Sequence, residues 1–395
     1  MTRRMRRALP CLLGLLLTST LTVFAQDAGS RAEEEARKQQ QKAASLSAYK
    51  PNFIERRILE IENEGGLGQR TGPFVAFGDI KRGSGFAAGP AFGWVRPNGF
   101  KIVAKAGYSA FNYKLLQLSA HSPLLARRLV VSGRARWQDA PGVRAYRVGA
   151  DSPYIPAKYA ETKTEISTQA LFNPVRRLRF GGGVGFEQYF TGPSHSTPPT
   201  AFVLPNLGID PQYVHSQASA AVDSRDGEGY SRHGTLLRGT FHDYRQRDGD
   251  TFTFQRVDGE AEQYVPIHHG NWVVFLSLRA STTSAAAGRS VPFFLMPDLG
   301  GHDLRGFTTY RFRDLHSIKM TAEYRWYVQE YLDAAIFYDA GKVVPDRDSL
   351  DFSNLKRSVG AGVRLHGPQT TIIRVEVAKS KESLRFLLVF SPVAQ

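Results

Sequence analysis

The chain has 395 residues, a formal net charge of +15 and one cysteine, Cys11. This length suits two or three soluble domains or one large barrel, and the many glycine and aromatic residues favour the barrel. A single cysteine excludes an internal disulfide framework and a thiolate metal site. The basic excess is spread along the chain, which indicates charged lumen and loop surfaces near anionic lipid head groups and argues against a nucleic-acid-binding block.

Residues 1–25 have the pattern of a secretory signal peptide. Four arginines precede an apolar run, and Val23 and Ala25 stand at the two positions typical of a cleavage site. The run is short for a membrane-spanning helix of about 20 residues, so an uncleaved anchor is the less favoured alternative. Residues 26–70, charged and glutamine-rich near their start, are predicted to be a periplasmic tail that is partly disordered or forms a short helix.

From residue 71 to residue 395 the dominant period of apolar and polar residues is two. In residues 317–328, for example, Tyr324 and Trp326 lie on one face, while Glu323 and Arg325 lie on the other. Such long alternating runs are typical of tilted strands of about 10 residues that cross a bilayer. Sixteen strands are predicted, near residues 72–80, 84–95, 99–110, 113–120, 127–138, 161–172, 177–188, 213–223, 234–245, 251–264, 271–281, 317–328, 333–343, 357–366, 370–379 and 383–391.

The connections between these predicted strands alternate in length. Those at 96–98, 173–176, 329–332 and 367–369 are short, whereas those at 139–160, 189–212, 282–316 and 344–356 are long. Short periplasmic turns and long external loops are the asymmetry expected of a bacterial outer-membrane barrel. The sequence therefore predicts an all-β fold, a 16-stranded antiparallel transmembrane β-barrel, in the cell outer membrane of a Gram-negative-type envelope.

An ordered set of short motifs stands in the last third of the chain. The connection before residue 317 contains a GG…LRGF motif, made of Gly300, Gly301, Leu304, Arg305, Gly306 and Phe307. The predicted strand 333–343 contains an FxDxG motif, made of Phe337, Asp339 and Gly341. Taken together, these motifs and their spacing resemble the BamA/TamA barrel family, also called the bacterial surface antigen family, over roughly residues 71–391.

The resemblance implies that the sixth external loop folds back into the lumen and that Arg305 pairs with Asp339. Strand alternation allows this pairing independently, because Phe337, Asp339 and Gly341 share a face opposite to the apolar face that must meet lipid. Glu323 is a second candidate acceptor. A guanidinium binds carboxylates bidentately, and the glycines beside Arg305 allow a tight turn at the wall.

Members of this family usually carry POTRA modules, periplasmic domains that receive client chains, before the barrel. Residues 26–70 are too few for one such module, so a member lacking POTRA modules is expected. Members also commonly end on an aromatic residue. Phe386 and Phe390, on the outward face of the last predicted strand, are the predicted terminal assembly signal, and Pro392 would end that strand.

The sequence contains neither a GxSxG nucleophile motif nor an HExxH zinc motif. His268 and His269 are adjacent, so on a strand they would face opposite sides and could not share a metal ion. Enzymatic activity, cofactors and metals are not expected. The resemblance implies a role in the insertion or translocation of polypeptides at the outer membrane, and the alternative is a passive channel or structural barrel. Expected partners are outer-membrane lipid and lipopolysaccharide, with client polypeptides or a separate POTRA-bearing protein, and no nucleic acid.

Overall fold

The computed structural model describes Arg37 and residues 71–194, 204–267, 271–368 and 370–390. The chain divides into two compact units, Met1–Ile54 and Glu55–Gln395, and the strands belong to the second. The expected signal peptide, nearly all of the expected tail and the His268–His269 pair lie outside the described residues. No helix in the part of the chain that the structure describes is long and apolar enough to cross a membrane.

Strands account for most of the residues between Gly72 and Phe390. The first nine are β1 Gly72–Gly78, β2 Ala87–Val95, β3 Lys101–Ser109, β4 Lys114–His121, β5 Leu129–Ala145, β6 Ala157–Val175, β7 Leu178–Pro193, β8 Gln212–Asp223 and β9 Gly234–Gln246. The next nine are β10 Phe254–Ile267, β11 Trp272–Ser284, β12 Asp298–Leu299, β13 Phe312–Arg313, β14 His316–Gln329, β15 Leu332–Val344, β16 Lys356–His366, β17 Thr371–Ser380 and β18 Leu384–Phe390.

All strands except β12 and β13 form one antiparallel sheet of sixteen, in the order of the chain. The sheet curls into a nearly closed barrel, which confirms the predicted fold class. The alternation of apolar and polar residues explains why this part of the chain forms a barrel. Ile336 on β15 is 51% exposed on the outer face, whereas Asp339 on the same strand is 1% exposed on the inner face. The sheet thus presents apolar side chains outward while the backbone groups of adjacent strands pair with each other, as a bilayer requires.

Strands β5, β6 and β7 extend further than predicted, to 17, 19 and 16 residues. Pro141 and Gly142 stand near the start of the predicted connection 139–160. The ladder between β5 and β6 instead continues past them through a shift in register. A β-bulge of this kind tolerates a proline, which has no N–H to donate. The connection predicted at 139–160 therefore shortens to 146–156, and the one predicted at 189–212 shortens to 194–211.

The connection between β11 and β14, residues 285–315, contains structure beyond the loop that the sequence predicts. It forms a single 3-10 turn at Phe293–Leu295 and the short β12–β13 hairpin. Aromatic contacts join it to the barrel wall: the ring of Phe293 lies 5.0 Å from that of Tyr159, and the ring of Phe294 lies 5.3 Å from that of Tyr189. This segment, which we call the inner loop, is therefore packed against several strands at once.

The two ends of the sheet meet at a seam. Among the described residues, β1 and β18 form no ladder with each other, and both are short, with seven residues each. Aromatic packing connects the two sides, since the ring of Phe390 lies 5.3 Å from that of Phe86, which directly precedes β2. Phe386, the other residue of the predicted terminal signal, is 69% exposed on the outer face.

Candidate functional site

Three carboxylates from separate strands lie close together on the inner wall. Glu323 on β14, Asp339 on β15 and Glu376 on β17 are each at most 4% exposed. The ladder between β16 and β17 places Gly362 opposite Glu376. A Cβ at Gly362 would lie only 2.8 Å from Glu376 Cγ. Glycine at this position therefore leaves room for the carboxylate to reach the site.

The inner loop delivers an arginine to these carboxylates through a tight turn. Gly300 and Gly301 have φ of +124° and +70°, which favours glycine. A Cβ at Gly300 would also lie 2.0 Å from a backbone oxygen of the loop. The N–H of Gly301 donates to the Phe307 carbonyl at 2.9 Å, and that of Phe307 donates to the Leu304 carbonyl at 3.0 Å. Leu304 and Phe307 are buried among apolar neighbours, so Arg305 projects from the tip of a fixed turn.

Arg305 contacts all three carboxylates. Its Nε and Nη2 donate to the two oxygens of Asp339 at 2.8 and 2.9 Å. Its Nη1 donates to Glu323 at 3.0 Å and to Glu376 at 3.1 Å. The guanidinium carbon also lies 3.2 Å from the ring centroid of Phe337. Every nitrogen of the guanidinium is thus used, which a lysine could not reproduce.

Two further arginines pair with Glu323. Glu323 accepts from Arg325 Nε at 2.5 Å and from Arg364 Nη2. Arg374 Nη1 lies 3.5 Å from Glu376 as well, so four guanidiniums meet three carboxylates that are each at most 4% exposed. Buried ions of this kind persist only when they are paired and hydrogen-bonded. We call this set the anchor network; its members are Arg305, Arg325, Arg364, Glu323, Asp339 and Glu376.

The sequence predicts that Arg305 meets Asp339 and Glu323, and the structure brings these three residues together. The sequence does not single out Glu376, Arg325 or Arg364 as partners. The available signal is strand alternation, because Arg374, Glu376 and Ala378 share the inner face of β17. Alternation marks a residue as inward-facing, but it does not say which inward residues meet across the barrel.

The residue after Arg305 brings the loop backbone against the last strands of the sheet. A Cβ at Gly306 would lie 2.5 Å from Ser358 Cβ and 2.8 Å from Ser380 Cβ. The Gly306 carbonyl accepts hydrogen bonds from the hydroxyl groups of Ser380 at 2.7 Å and Ser383 at 3.0 Å. Arg385 of β18 donates to the Phe307 carbonyl. The inner loop is therefore attached to the β18 side of the seam through its backbone.

The ion pairs that attach the inner loop to the β1 side of the seam are more solvent-exposed than the anchor network. Arg82, in the connection between β1 and β2, pairs with Asp298 at 2.7 Å and with Asp303 at 2.8 Å, and its side chain is 34% exposed. Asp303 also pairs with Lys319 at 3.0 Å. Burial by itself would raise the pKa of Asp303, but the nearby charges of Lys319 and Arg82 outweigh it and lower that pKa.

A second polar row on the inner wall was not predicted. His215 Nδ1 lies 2.9 Å from Glu187, and its Nε2 lies 3.0 Å from His242 Nδ1. His242 Nε2 lies 3.1 Å from Asp258. No group of three or more potential ligands suited to a metal ion occurs among the residues that the structure describes. The row therefore links strands β7 to β10 by side-chain hydrogen bonds.

The comparisons with known proteins agree with this architecture. A domain model of the Omp85 superfamily matches residues 98–383, more than half of the chain. The chain belongs to the Omp85 superfamily. This membership confirms the family resemblance drawn from the loop and strand motifs, and it implies an outer-membrane protein.

Solved structures of other Omp85 barrels are similar to this chain. BamA from Haemophilus ducreyi lacking POTRA domains 1–3 matches with a TM-score of 0.62 and 14% identity, over 81% of this chain and 69% of that chain. CdiB from Escherichia coli matches with a TM-score of 0.53 and 12% identity, over 81% of this chain and 60% of that chain. At these identities the similarity shows the fold alone. No curated protein sequence matches the chain.

Proposed function

We propose that this Omp85 barrel assists the insertion or translocation of polypeptides at the outer membrane. The observation that carries the proposal is the seam. Every other pair of neighbouring strands in the sheet is hydrogen-bonded, whereas β1 and β18 form no ladder within the described residues. An unpaired strand edge is a template on which another strand can pair. A client strand could therefore add to the barrel at this point without breaking an existing ladder.

The anchor network is proposed to hold the β18 side of the seam while the β1 side moves. Arg305 is 4% exposed and contacts three wall carboxylates, and the loop backbone beside it binds Ser380 and Ser383. Arg82, on the other side, makes more exposed ion pairs, which are worth less than buried ones. The asymmetry favours opening by displacement of β1.

Depletion of the protein followed by quantitative proteomics of the cell envelope tests the proposed activity. We expect one or more outer-membrane or surface proteins to decrease, because their assembly would lose the barrel that assists it. Expression of the wild-type chain should restore their level. An unchanged envelope proteome would reject the assembly role.

A cross-link at the seam tests the proposed mechanism. Cysteines at Phe86 and Phe390, whose rings are 5.3 Å apart, can be joined by a short cleavable bifunctional thiol reagent. We expect the joined F86C/F390C variant to fail in complementation and to recover when the linker is cleaved, with the two single-cysteine variants as controls. Full activity of the joined barrel would exclude opening at this position.

The alternative is a passive channel or structural barrel, which requires no partner. It predicts large, steady single-channel currents in planar bilayers and no dependence on other proteins. An assembly role instead predicts association with client polypeptides or with a separate POTRA-bearing protein, which co-purification from native membranes would detect. No enzymatic step is part of either proposal.

A further inference from the structure

Residues 80–138 contain ten lysines and arginines but no aspartate or glutamate, although the chain has 36 acidic residues in total. Taken over the whole sequence, the basic excess is spread along the chain. The structure places five of these ten cations on the neighbouring strands β3, β4 and β5. Because neighbouring strands supply the partners of charged side chains in a sheet, these cations cannot be neutralised from within their own segment.

Four of these cations project from the inner face of the sheet and form what we call the basic wall. Lys101 and Lys105 lie on β3, and Arg134 and Arg136 lie on β5. Their outward-facing neighbours are apolar and exposed, among them Tyr108, Leu116 and Leu118. The four side chains therefore point into the lumen, away from lipid.

The basic wall lacks the carboxylates that the anchor network has. Within the described ranges, Lys101, Lys105 and Arg134 make no side-chain hydrogen bond or ion pair. Arg136 donates to the carbonyl of Ile80 at 2.8 Å and to the amide oxygen of Gln138 at 2.7 Å, both of them neutral. Its Nε is buried and has no acceptor.

The carboxylate that lies near the basic wall is already engaged. Glu165 on β6 attracts Arg136, but its oxygens accept from Lys163 at 3.1 Å and from Ser167 at 3.0 Å. The cations also repel one another, since Lys105 lies within electrostatic reach of Arg134 and Arg136. A half-buried group of like charges is stabilised by any anion that enters it.

The spacing of the basic wall suits an extended acidic chain. Residues two apart on a strand project from one face about 6.6 to 6.8 Å apart, which is the expected spacing of Arg134 and Arg136. Lys105 lies two strands from Arg136, with Gln117 between them in register, at about 10 Å. Alternate carboxylates of an extended segment would have the same repeat of about 6.6 to 6.8 Å. Lipid head groups lie outside the barrel, whereas the basic wall faces the lumen, so lipid is a less suitable ligand for this position.

We propose that the basic wall binds an acidic segment of a polypeptide in an extended conformation. The proposal rests on the proposed function and deepens it, because it names the class of client segment that the lumen accepts. The binding surface is the inner face of β3 to β5, beside the β1 edge that is proposed to open. The charge of the segment would replace the carboxylates missing from residues 80–138.

The test measures fluorescence anisotropy of a labelled peptide of alternating glutamate and serine, added to the purified full chain in zwitterionic detergent. We expect saturable binding that weakens as salt rises, because the screening length falls from about 10 Å at 0.1 M to about 3 Å at 1 M. The variant K101Q/K105Q/R134Q/R136Q should bind about tenfold more weakly or worse. The charge-matched control R245Q/R247Q/R289Q/K379Q, whose residues are exposed elsewhere, should bind as the wild type does.

A second variant protects the test from a folding defect. Gln117→Glu adds a carboxylate between Lys105 and Arg136 without removing a cation, and it should also weaken peptide binding. Equal affinity of wild type and both variants for the peptide would overturn the proposal. Free glutamate at the same concentration of charge should compete with the labelled peptide less well than unlabelled peptide does. Equal competition would also overturn the proposal, because the basic wall would then bind single anions and not an extended segment.

Failure of this inference can be told apart from failure of the proposed function. If depletion alters the envelope proteome but the peptide does not bind, the assembly role stands and the basic wall has no part in selecting clients. If the peptide binds with the expected variant pattern but depletion changes nothing, the wall is an acidic-peptide site in a barrel without assembly activity.

Discussion

Two walls of one lumen use the same residue type in opposite ways. At the wall formed by β14 to β17, the guanidiniums of Arg325, Arg364 and the inner-loop residue Arg305 face three carboxylates and are almost completely buried. On β3 and β5 the cations of the basic wall face no free carboxylate among the described residues and stay half-buried. The backbone scaffold is the same on both sides, an antiparallel ladder with alternating side chains.

The difference lies in where the carboxylates stand, and it has a physical consequence. A buried guanidinium that has lost its water is stable only with charged partners, so the anchor network can be closed and rigid. Unpaired cations must keep water or bind an anion, so the basic wall remains open. Charge pairing thus distinguishes a structural part of the lumen, the anchor network, from a part whose cations are free to bind an anion, the basic wall.

The anchor network gives the largest expected effect. Arg305→Ala leaves the buried carboxylates without their shared cation, and we expect it to cost about 3–5 kcal/mol of the free energy of unfolding. Asp339→Ala should cost about as much, because Arg305 then loses its bidentate partner. The measurement is the folded fraction of the barrel in lipid vesicles at increasing urea concentration. The folded fraction is determined from the heat-modifiable migration of the barrel in gel electrophoresis.

A double-mutant cycle decides whether these two residues act as a pair. The loss in the Arg305→Ala/Asp339→Ala double variant should be smaller than the sum of the single losses by about 1–3 kcal/mol. Arg245→Ala, which removes an exposed ion pair with Asp243, serves as the control and should cost at most about 1 kcal/mol. Strictly additive losses in the free energy of unfolding would show that Arg305 and Asp339 do not act as a pair. The difference in charge pairing between this wall and the basic wall would then not hold.

A substitution that changes packing without changing charge should have the next largest effect on the free energy of unfolding. Gly306→Ala would put a Cβ 2.5 Å from Ser358 Cβ, and overpacking of this kind costs about 1–3 kcal/mol. The same urea titration measures it. Gly239→Ala on β9, where a Cβ would have no neighbour within 4 Å, is the matched control. Equal stability of the two variants would show that the inner loop is not held against β16 and β17.

These features were not equally predictable from the sequence. All sixteen strands of the barrel follow from alternation, and Arg305 and Asp339 follow from their motifs. The length of β5 does not, because Pro141 and Gly142 suggest a loop unless a bulge accommodates them. Glu376 does not either, since its contact with Arg305 depends on the path of the inner loop. The basic wall is visible as an acid-free run, but a charge count over the whole chain hides it.

Supplying the missing carboxylate should make the basic wall resemble the anchor network. Gln117→Glu would place a charge between Lys105 and Arg136, which are its register partners on either side. We expect a gain of about 0.5–1 kcal/mol in the free energy of unfolding, typical of an opposite-charge pair across strands. Gln263→Glu on β10, next to Glu262, is the control and should give no gain. A loss of stability at Gln117 would show that the four cations already have an anionic partner.

The smallest expected effect depends on pH and concerns the exposed attachment of the inner loop. The lowered pKa of Asp303, caused by Lys319 and Arg82 against the opposing effect of burial, means that its ionised form stabilises the folded state. This contribution is complete above the unfolded pKa of about 3.9 and is lost as pH falls through the lower folded value. Asp303→Asn should therefore be less stable than wild type by about 0.2–1 kcal/mol near neutral pH, and the difference should vanish in acid.

Thermal unfolding of wild type and Asp303→Asn, followed by circular dichroism between neutral pH and pH of about 1, measures this dependence. Asp348→Asn, which changes an exposed carboxylate in the connection between β15 and β16, is the control and should follow the wild type at every pH. A difference between wild type and Asp303→Asn that persists unchanged in acid would show that Asp303 acts through packing and not through its charge. The inner loop would then be held at the β1 side of the seam by packing. Its attachment there would differ from the attachment at the β18 side, which the anchor network makes by charge pairing, in the kind of contact as well as in solvent exposure.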